Sequence, residues 1–396
     1  MPGTSAPVIA TDHARDLDRL SDEIAVHGRP PGPQNAEHAT RLASCRVNRA
    51  SLSGDVSEMR RAAETLDAAL EEFGPWPDLC YLRASVDLKQ HRLADAVASL
   101  ALGQGLAGSP DGRAIQADVD LQLGRYADAR RAYERLAAET PSWGNLARLA
   151  HLERMLGDPD RADSLYAGAV DEITAKELRP YAWVEVQRGL MHLRHGRFGE
   201  AERHYERARA AYSGYWVVDE HVAELRAAEG RTDEAIALYE DAAGRAGRPE
   251  LAQAVGDLHR HAGAPGEARA WHERALAGYL DSARRGEVQY HHHLAEYYAD
   301  VERDGGAAVP WAERDHALRP HYATEMALAW ALHRAGRQSH ALDLAHRAVA
   351  SGVRDPPVLR QAGVIHTPAG HASEGERLLA EATRLNPRHA AFHVHR

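Results

Sequence analysis

Residues 195–202 read His-Gly-Arg-Phe-Gly-Glu-Ala-Glu, and this short stretch decides the fold. It combines the end of one helix, a Gly-Arg turn and the start of the next helix, with an alanine five residues after the turn glycine. The phrase recurs three more times with the same arrangement of glycine, arginine and alanine, at residues 123–130, 229–236 and 335–342. The chain therefore contains an internal repeat of helical hairpins.

The spacing of the turn glycines gives the period of this repeat. Gly196 and Gly230 are 34 residues apart, Gly336 and Gly370 are also 34 apart, and Gly124 to Gly196 spans 72, which is two slightly lengthened units. A small residue recurs within the first helix of each unit, at Gly189, Ala223, Gly256, Ala295, Ala329 and Gly363. An alanine followed four residues later by tyrosine recurs in the second helix, as Ala129–Tyr133, Ala201–Tyr205 and Ala235–Tyr239.

This pattern resembles the tetratricopeptide repeat (TPR), of a bacterial type, whose unit of about 34 residues forms two antiparallel helices. The resemblance implies an all-α fold, a right-handed superhelical solenoid of about ten TPR-like hairpins. One hairpin cannot bury its apolar stripe alone, whereas stacked hairpins share a continuous core. We place the hairpins at residues 36–73, 77–106, 111–139, 143–175, 179–212, 215–246, 249–284, 287–318, 321–351 and 355–385.

Three segments follow from this assignment. Residues 1–33, which end in a proline-rich stretch, form a tail that is either a short helix or partly disordered. Residues 34–386 form the repeat array, and residues 387–396 leave the helical pattern and close it.

Composition excludes several classes of protein. The net charge of −10 and the absence of a basic stripe argue against nucleic acid as a partner. Two cysteines without paired spacing are typical of a reduced compartment, and the sequence shows neither a signal peptide nor a membrane-spanning stretch. We therefore expect a soluble cytoplasmic protein without membrane contact.

Known catalytic motifs are absent from the sequence. The chain has no phosphate-binding GxxxxGK[ST] loop, no GxGxxG, no GxSxG and no HExxH. The sequence therefore predicts no particular reaction and favours a non-enzymatic protein. If the protein is an enzyme, we expect it to depend on a metal ion.

Polar side chains follow the small first-helix residue in three successive units. On this type of hairpin that position, and the one four residues earlier, face the concave groove. The six residues concerned are Glu220, Glu224, Gln253, Asp257, His292 and Glu296. Tryptophans stand near the same faces, at Trp183, Trp216 and Trp330. Carboxylates beside aromatic rings are suited to a cation or a peptide.

Three interpretations of this acidic, His-containing patch stay open at the sequence level. Glu224, Asp257, His292 and Glu296 are candidate ligands of a divalent metal ion, because Glu and His projecting from facing helices recur in carboxylate-rich metal sites. The patch is equally suited to a cationic group of a ligand, and it is also compatible with an unspecialised polar groove.

The favoured function is recognition of a peptide or partner protein in the concave groove, with the patch spanning residues 215–303 as the affinity hot spot. The alternative is a metal-dependent protein or enzyme with a His/carboxylate site in the same groove. No cofactor other than this divalent metal is predicted. The excess of histidine supports the alternative, since 18 of the 25 histidines fall after residue 198.

Overall fold

The computed structural model describes residues 10–30 and 32–388, and within these residues it contains 21 α-helices and no β-strand. Most of the predicted closing segment 387–396 lies outside the described residues, as does the start of the predicted tail, residues 1–9. The all-α class predicted from the sequence is confirmed.

After helix α1 (Asp12–His27), the helices pair as ten antiparallel hairpins, and this pairing confirms the predicted repeat. Hairpins 1 to 5 are α2 (Ala36–Ser53) with α3 (Val56–Phe73), α4 (Pro77–Lys89) with α5 (Leu93–Leu102), α6 (Pro110–Gln122) with α7 (Tyr126–Glu139), α8 (Trp143–Met155) with α9 (Pro159–Asp171), and α10 (Leu178–Arg194) with α11 (Phe198–Ala211). Hairpins 6 to 10 are α12 (Trp216–Ala228) with α13 (Thr232–Ala246), α14 (Pro249–His261) with α15 (Pro265–Arg284), α16 (His291–Glu296) with α17 (Gly305–Leu318), α18 (Tyr322–Arg334) with α19 (Gln338–Ala350), and α20 (Pro356–His366) with α21 (Ala372–Leu385).

The small first-helix residue is required because a ring of the second helix packs directly against it. A Cβ atom at Gly189 would lie 2.2 Å from Cε1 of Tyr205, and one at Gly256 would lie 2.3 Å from Cδ2 of His272. The tyrosine rings at this position are fully buried. This close approach of the two helices forms the core of each hairpin, and each core continues into the next hairpin.

Hairpin 8 departs from the regular pattern. Its first helix, α16, is continued by a π-helical turn over Tyr297–Val301, and Arg303 then takes a positive φ of 56° before α17 begins. The residue at the start of α17, Gly305, packs so closely that a Cβ would lie 2.2 Å from the backbone nitrogen of Ala335. The Arg-Asp-Gly-Gly sequence at residues 303–306 therefore allows hairpins 8 and 9 to pack unusually closely at Gly305.

Consecutive turns of the superhelix touch each other. The Tyr126 hydroxyl accepts a hydrogen bond from the backbone nitrogen of Tyr322 (3.1 Å), 196 residues further along the chain. Arg194 donates to Asp355 at 2.8 Å, which links hairpin 5 to hairpin 10. The chain thus returns to a neighbouring position after about six hairpins. As a result, the concave face is a narrow interior and not an open groove.

Helix α1 joins the first turn to the second. Asp12 accepts hydrogen bonds from the backbone nitrogen (3.1 Å) and the hydroxyl (2.7 Å) of Ser213. His13 is buried, and its Nε2 lies 2.9 Å from the carbonyl oxygen of Leu52. Since Asp12 is also in the first turn of α1, it stabilises the helix N-terminus and the contact together.

No helix in the described part of the chain has the length and apolar character needed to cross a membrane.

The hairpin turn at Gly157 offers a test of the contact between superhelical turns. The φ of Gly157 is +85°, and a Cβ there would lie 2.6 Å from Cβ of Arg354 on the neighbouring turn of the superhelix. Gly230 occupies the equivalent turn of hairpin 6 with a φ of +80°, but open space surrounds it. Both alanine variants share the cost of a positive φ. Gly157→Ala should in addition lower the free energy of unfolding by about 1–3 kcal/mol through overpacking, which urea unfolding measures. Equal losses in the two variants would contradict the contact.

Candidate ligand-binding site

The predicted polar site residues lie on the first helices of hairpins 6 to 8, and most of them are paired with neighbouring side chains. Asp257 is buried and accepts from Nη2 of Arg260 (2.7 Å), and Nε2 of His272 lies 3.1 Å from the same oxygen. Gln253 accepts from the hydroxyl of Tyr279 at 2.9 Å. Both residues therefore take part in contacts between helices within the array.

His292 is held between two carboxylates. Its Nε2 lies 3.2 Å from Glu296 and its Nδ1 lies 3.3 Å from Asp315, which also accepts from Arg319 at 2.8 Å. Burial alone would lower the pKa of His292, but the charges of Glu296 and Asp315 outweigh it and raise the pKa to about 10. His292 is therefore an imidazolium at neutral pH, and both of its nitrogens face carboxylates.

The other acidic pair of the patch lies in hairpin 6. Glu224 is buried, and Nδ1 of His221 lies 3.3 Å from one of its oxygens. Glu220 is half-buried one helical turn earlier on α12. Both residues therefore lie on α12, with Glu224 in contact with His221.

Two of the tryptophans near the predicted patch, Trp216 and Trp330, have different environments. Trp216 is buried and donates to the carbonyl oxygen of Leu52 at 2.7 Å, so it packs between superhelical turns. Trp330 is half-buried and donates to both oxygens of Asp300, at 3.0 and 3.1 Å. With His292 and Glu296 it lines a cavity of about 290 Å³. Only Trp330 of the two therefore borders open space beside the predicted patch.

The predicted metal ligands are not gathered around one point. Within residues 10–30 and 32–388, the group of three His, Cys, Asp or Glu side chains whose donor atoms lie within 4.8 Å of one another consists of Asp163, His192 and His204. None of these belongs to the predicted set of Glu224, Asp257, His292 and Glu296.

A larger cavity, of about 540 Å³, is lined by residues of hairpins 1 to 6 and was missed by the sequence analysis. We call it the basic–aromatic cavity. Its lining combines three cationic side chains with four aromatic rings, namely Lys89, Arg148, Arg179, Tyr133, Trp143, Trp183 and Tyr215, and also includes Asp118 and His151. Its volume is in the range typical of sites for small molecules or for a few residues of a peptide.

One of the three cations is neutralised within the cavity. Nε of Arg148 donates to both oxygens of Asp118 at 3.0 Å, and the hydroxyl of Tyr133 donates to the same carboxylate at 2.8 Å. This network orients Arg148 along the wall. The Asp118 carboxylate is therefore already bound by Arg148 and Tyr133.

The other two cations have no carboxylate partner within 4.0 Å among the described residues. Arg179 donates to the neutral amide oxygen of Asn48 at 2.9 Å. Lys89 borders the cavity, and desolvation lowers its pKa; the charge of Asp118 opposes this shift, and the positive charges of Arg148 and Arg179 add to it. Burial and Arg154 likewise lower the pKa of His151 to about 3, so this histidine is neutral. The cavity has an excess of positive charge.

Sequence reasoning missed this cavity because its residues come from six hairpins and follow no repeated spacing. A signal was nevertheless present. Lys89 is one of only two lysines in the chain, and Trp183 faces the groove in the repeat pattern. Neither residue by itself distinguishes a binding site from ordinary packing.

The charge state of His292 can be tested by pH. A raised folded-state pKa means that its ion pairs stabilise the protein fully below the unfolded pKa of about 6.5, and that this stabilisation is lost as the pH rises through about 10. His292→Gln should therefore reduce the free energy of unfolding more at pH ~6 than at pH ~10, by at least about 1 kcal/mol. The exposed His340→Gln variant is the control. A pH-independent difference between wild type and His292→Gln would contradict the assignment.

Comparison with known proteins gives similarity of fold only. No family model and no curated protein matches the chain. Among solved structures, the APC/C hetero-tetramer Cut9–Hcn1 is similar with 17% identity and a TM-score of 0.45, covering 96% of this chain and 82% of that one. The human IFIT1 dimer with PPP-AAAA shows 14% identity and a TM-score of 0.44, covering 96% and 95% of the two chains. Yeast Tom70 shows 13% identity and a TM-score of 0.42, covering 94% and 92%.

The sequence identities and TM-scores are too low for a ligand of this protein to be inferred from these structures. The assignment of its architecture rests on its own repeats, on the ten observed hairpins and on the packing of a ring against a small residue within them. By those features the chain is an all-α superhelical array of TPR-like hairpins.

Proposed function

We propose that this protein is a binding protein that holds a segment of a partner protein inside its superhelix, with the basic–aromatic cavity as the main anchor. The observation that carries the proposal is the pair Lys89 and Arg179, which face a cavity of about 540 Å³ without a carboxylate partner within 4.0 Å among the described residues. An acidic group of the ligand would complete both interactions.

The electrostatics favour an anion at this point. Desolvation lowers the pKa of Lys89, which means that its charged form is destabilised in the free protein. A carboxylate placed between Lys89 and Arg179 would relieve this cost, and the guanidinium group can bind a carboxylate through two parallel hydrogen bonds. The expected ligand group is an Asp or Glu side chain.

The walls of the cavity favour a flat apolar group beside that anion. Trp143 and Trp183 stand edge to face, with ring centroids 6.1 Å apart, and both border the cavity. Large rings bury much apolar area with little loss of side-chain entropy, and they are common at sites that bind peptides. We therefore infer a ligand segment in which an acidic residue lies next to an aromatic or large aliphatic one.

The acidic patch predicted from the sequence is the second candidate anchor in this proposal. Asp257 and His292 are held by ion pairs within the protein, and the cavity beside Trp330 is about half the size of the basic–aromatic cavity. A cationic group of the ligand would have to compete with these internal partners. The patch is thus the alternative anchor.

The decisive experiment compares two short acetylated peptides, one of alternating Glu and Phe and one of alternating Lys and Phe, by isothermal titration calorimetry. The wild-type protein should bind the Glu/Phe peptide. Lys89→Gln combined with Arg179→Gln should weaken this binding at least tenfold, about 1.4 kcal/mol, because two anion contacts are lost. Lys176→Gln with Arg135→Gln makes the same change in net charge at exposed positions and should have no effect.

Two results would overturn the proposal. Equal affinity of the Glu/Phe peptide for the cavity variant and its control would remove the cavity as the anchor. Binding of the Lys/Phe peptide that is lost in Glu224→Gln with Glu296→Gln would establish the acidic patch in its place.

A further inference from the structure

Three side chains converge where helices α9, α10 and α11 meet. Asp163 comes from α9, His192 from α10 and His204 from α11, and one donor atom of each lies within 4.8 Å of the other two. Both histidines are buried, with relative exposures of 7% and 4%, and their rings are nearly parallel with centroids 5.3 Å apart. None of the three was a candidate at the sequence level, and the cluster is separate from the basic–aromatic cavity.

The orientation of His204 is fixed by a buried carboxylate. Its Nδ1 lies 2.8 Å from Oε2 of Glu185, which is 1% exposed. A carboxylate can only accept a hydrogen bond, so Nδ1 carries a proton and Nε2 is the ring nitrogen that remains for a ligand. A carboxylate behind the far nitrogen of a histidine is the arrangement that orients most metal-binding imidazoles.

His192 supplies a second buried imidazole. Its Nε2 is 3.9 Å from Oδ1 of Asp163. Nε2 is therefore the nitrogen of His192 that faces the carboxylate.

Asp163 supplies the anionic donor. Nε and Nη2 of Arg188 donate to its two oxygens at 2.8 and 3.1 Å and hold the carboxylate in place. Burial opposes ionisation, but these hydrogen bonds prevail and lower the pKa of Asp163. Its side chain is 35% exposed, which leaves a path from solvent to the cluster. Each carboxylate oxygen retains a lone pair beyond the one that Arg188 uses.

We propose that Asp163, His192 and His204 form a binding site for a divalent transition-metal ion, with Zn²⁺ as the best match. Two imidazoles and one carboxylate are a donor set that zinc accepts, and a water molecule from the exposed side would complete four-coordination. Donor atoms around tetrahedral zinc lie about 3.4 Å apart, so the present spacing would close by roughly 1 Å on binding.

This site differs from the patch predicted from the sequence in how closely its donor atoms are grouped. Asp163, His192 and His204 each have a donor atom within 4.8 Å of the other two, whereas Glu224, Asp257, His292 and Glu296 form no such group among the described residues. The inference does not depend on the proposed peptide function, because no residue is shared between the two sites.

The test is a titration of the full-length, metal-free protein with Co²⁺, followed by its visible d–d absorption, and then displacement by Zn²⁺. Wild type should show one saturable site per chain, with an absorption typical of four-coordinate cobalt. Asp163→Asn and His204→Gln should each weaken Co²⁺ binding at least tenfold. His340→Gln removes one exposed histidine and serves as the matched control, with binding unchanged.

The two cluster variants differ in their structural demands, which keeps the test decisive. Asp163→Asn preserves the shape of the side chain and an oxygen that accepts from Arg188, and circular dichroism reports whether either variant folds. Absence of a saturable absorption in wild type would overturn the proposal. Equal absorption in wild type and both folded variants would also overturn it, since the cobalt would then be bound by histidines elsewhere.

Discussion

The contact between consecutive turns of the superhelix is the constraint on which the interior of this protein depends. Arg194 and Asp355, and Tyr126 and Tyr322, join hairpins that are far apart in the sequence. Turn glycines make this approach feasible, because at Gly157 a side chain would collide with the neighbouring turn. Without these contacts the concave face would be an open groove, and its polar side chains would be solvated.

Closing the interior changes the chemistry of the side chains within it. Charges that face one another in a narrow space form fixed pairs, as His292 does with Glu296 and Asp315. Such pairs gain little from a ligand, because their hydrogen bonds are already made. Lys89 and Arg179 are the contrasting case, because neither has a carboxylate partner within 4.0 Å among the described residues. A cation without such a partner in a confined space is suited to anchor a ligand of opposite charge.

The two proposed sites use different parts of the same hairpin architecture. The basic–aromatic cavity lies on the concave face, where first helices from several hairpins meet. The His–Asp cluster lies between three consecutive helices of neighbouring hairpins, so the geometry within the repeat positions it. A metal ion there would link hairpin 4 to hairpin 5, whereas the cavity that would hold a peptide is lined by hairpins 1 to 6.

The sequence by itself determined the repeat, the all-α class and the boundaries of the hairpins, because turn glycines and small first-helix residues such as Gly189 act locally and recur with a fixed period. It predicted Glu224, Asp257, His292 and Glu296 as residues of the inner face. It could not decide their partners, because Asp315 reaches His292 from another helix. Only the tertiary structure decided which charges are paired, since the electrostatic interaction of Lys89 with Arg148 and Arg179 depends on how the superhelix closes, and no local spacing encodes that distance.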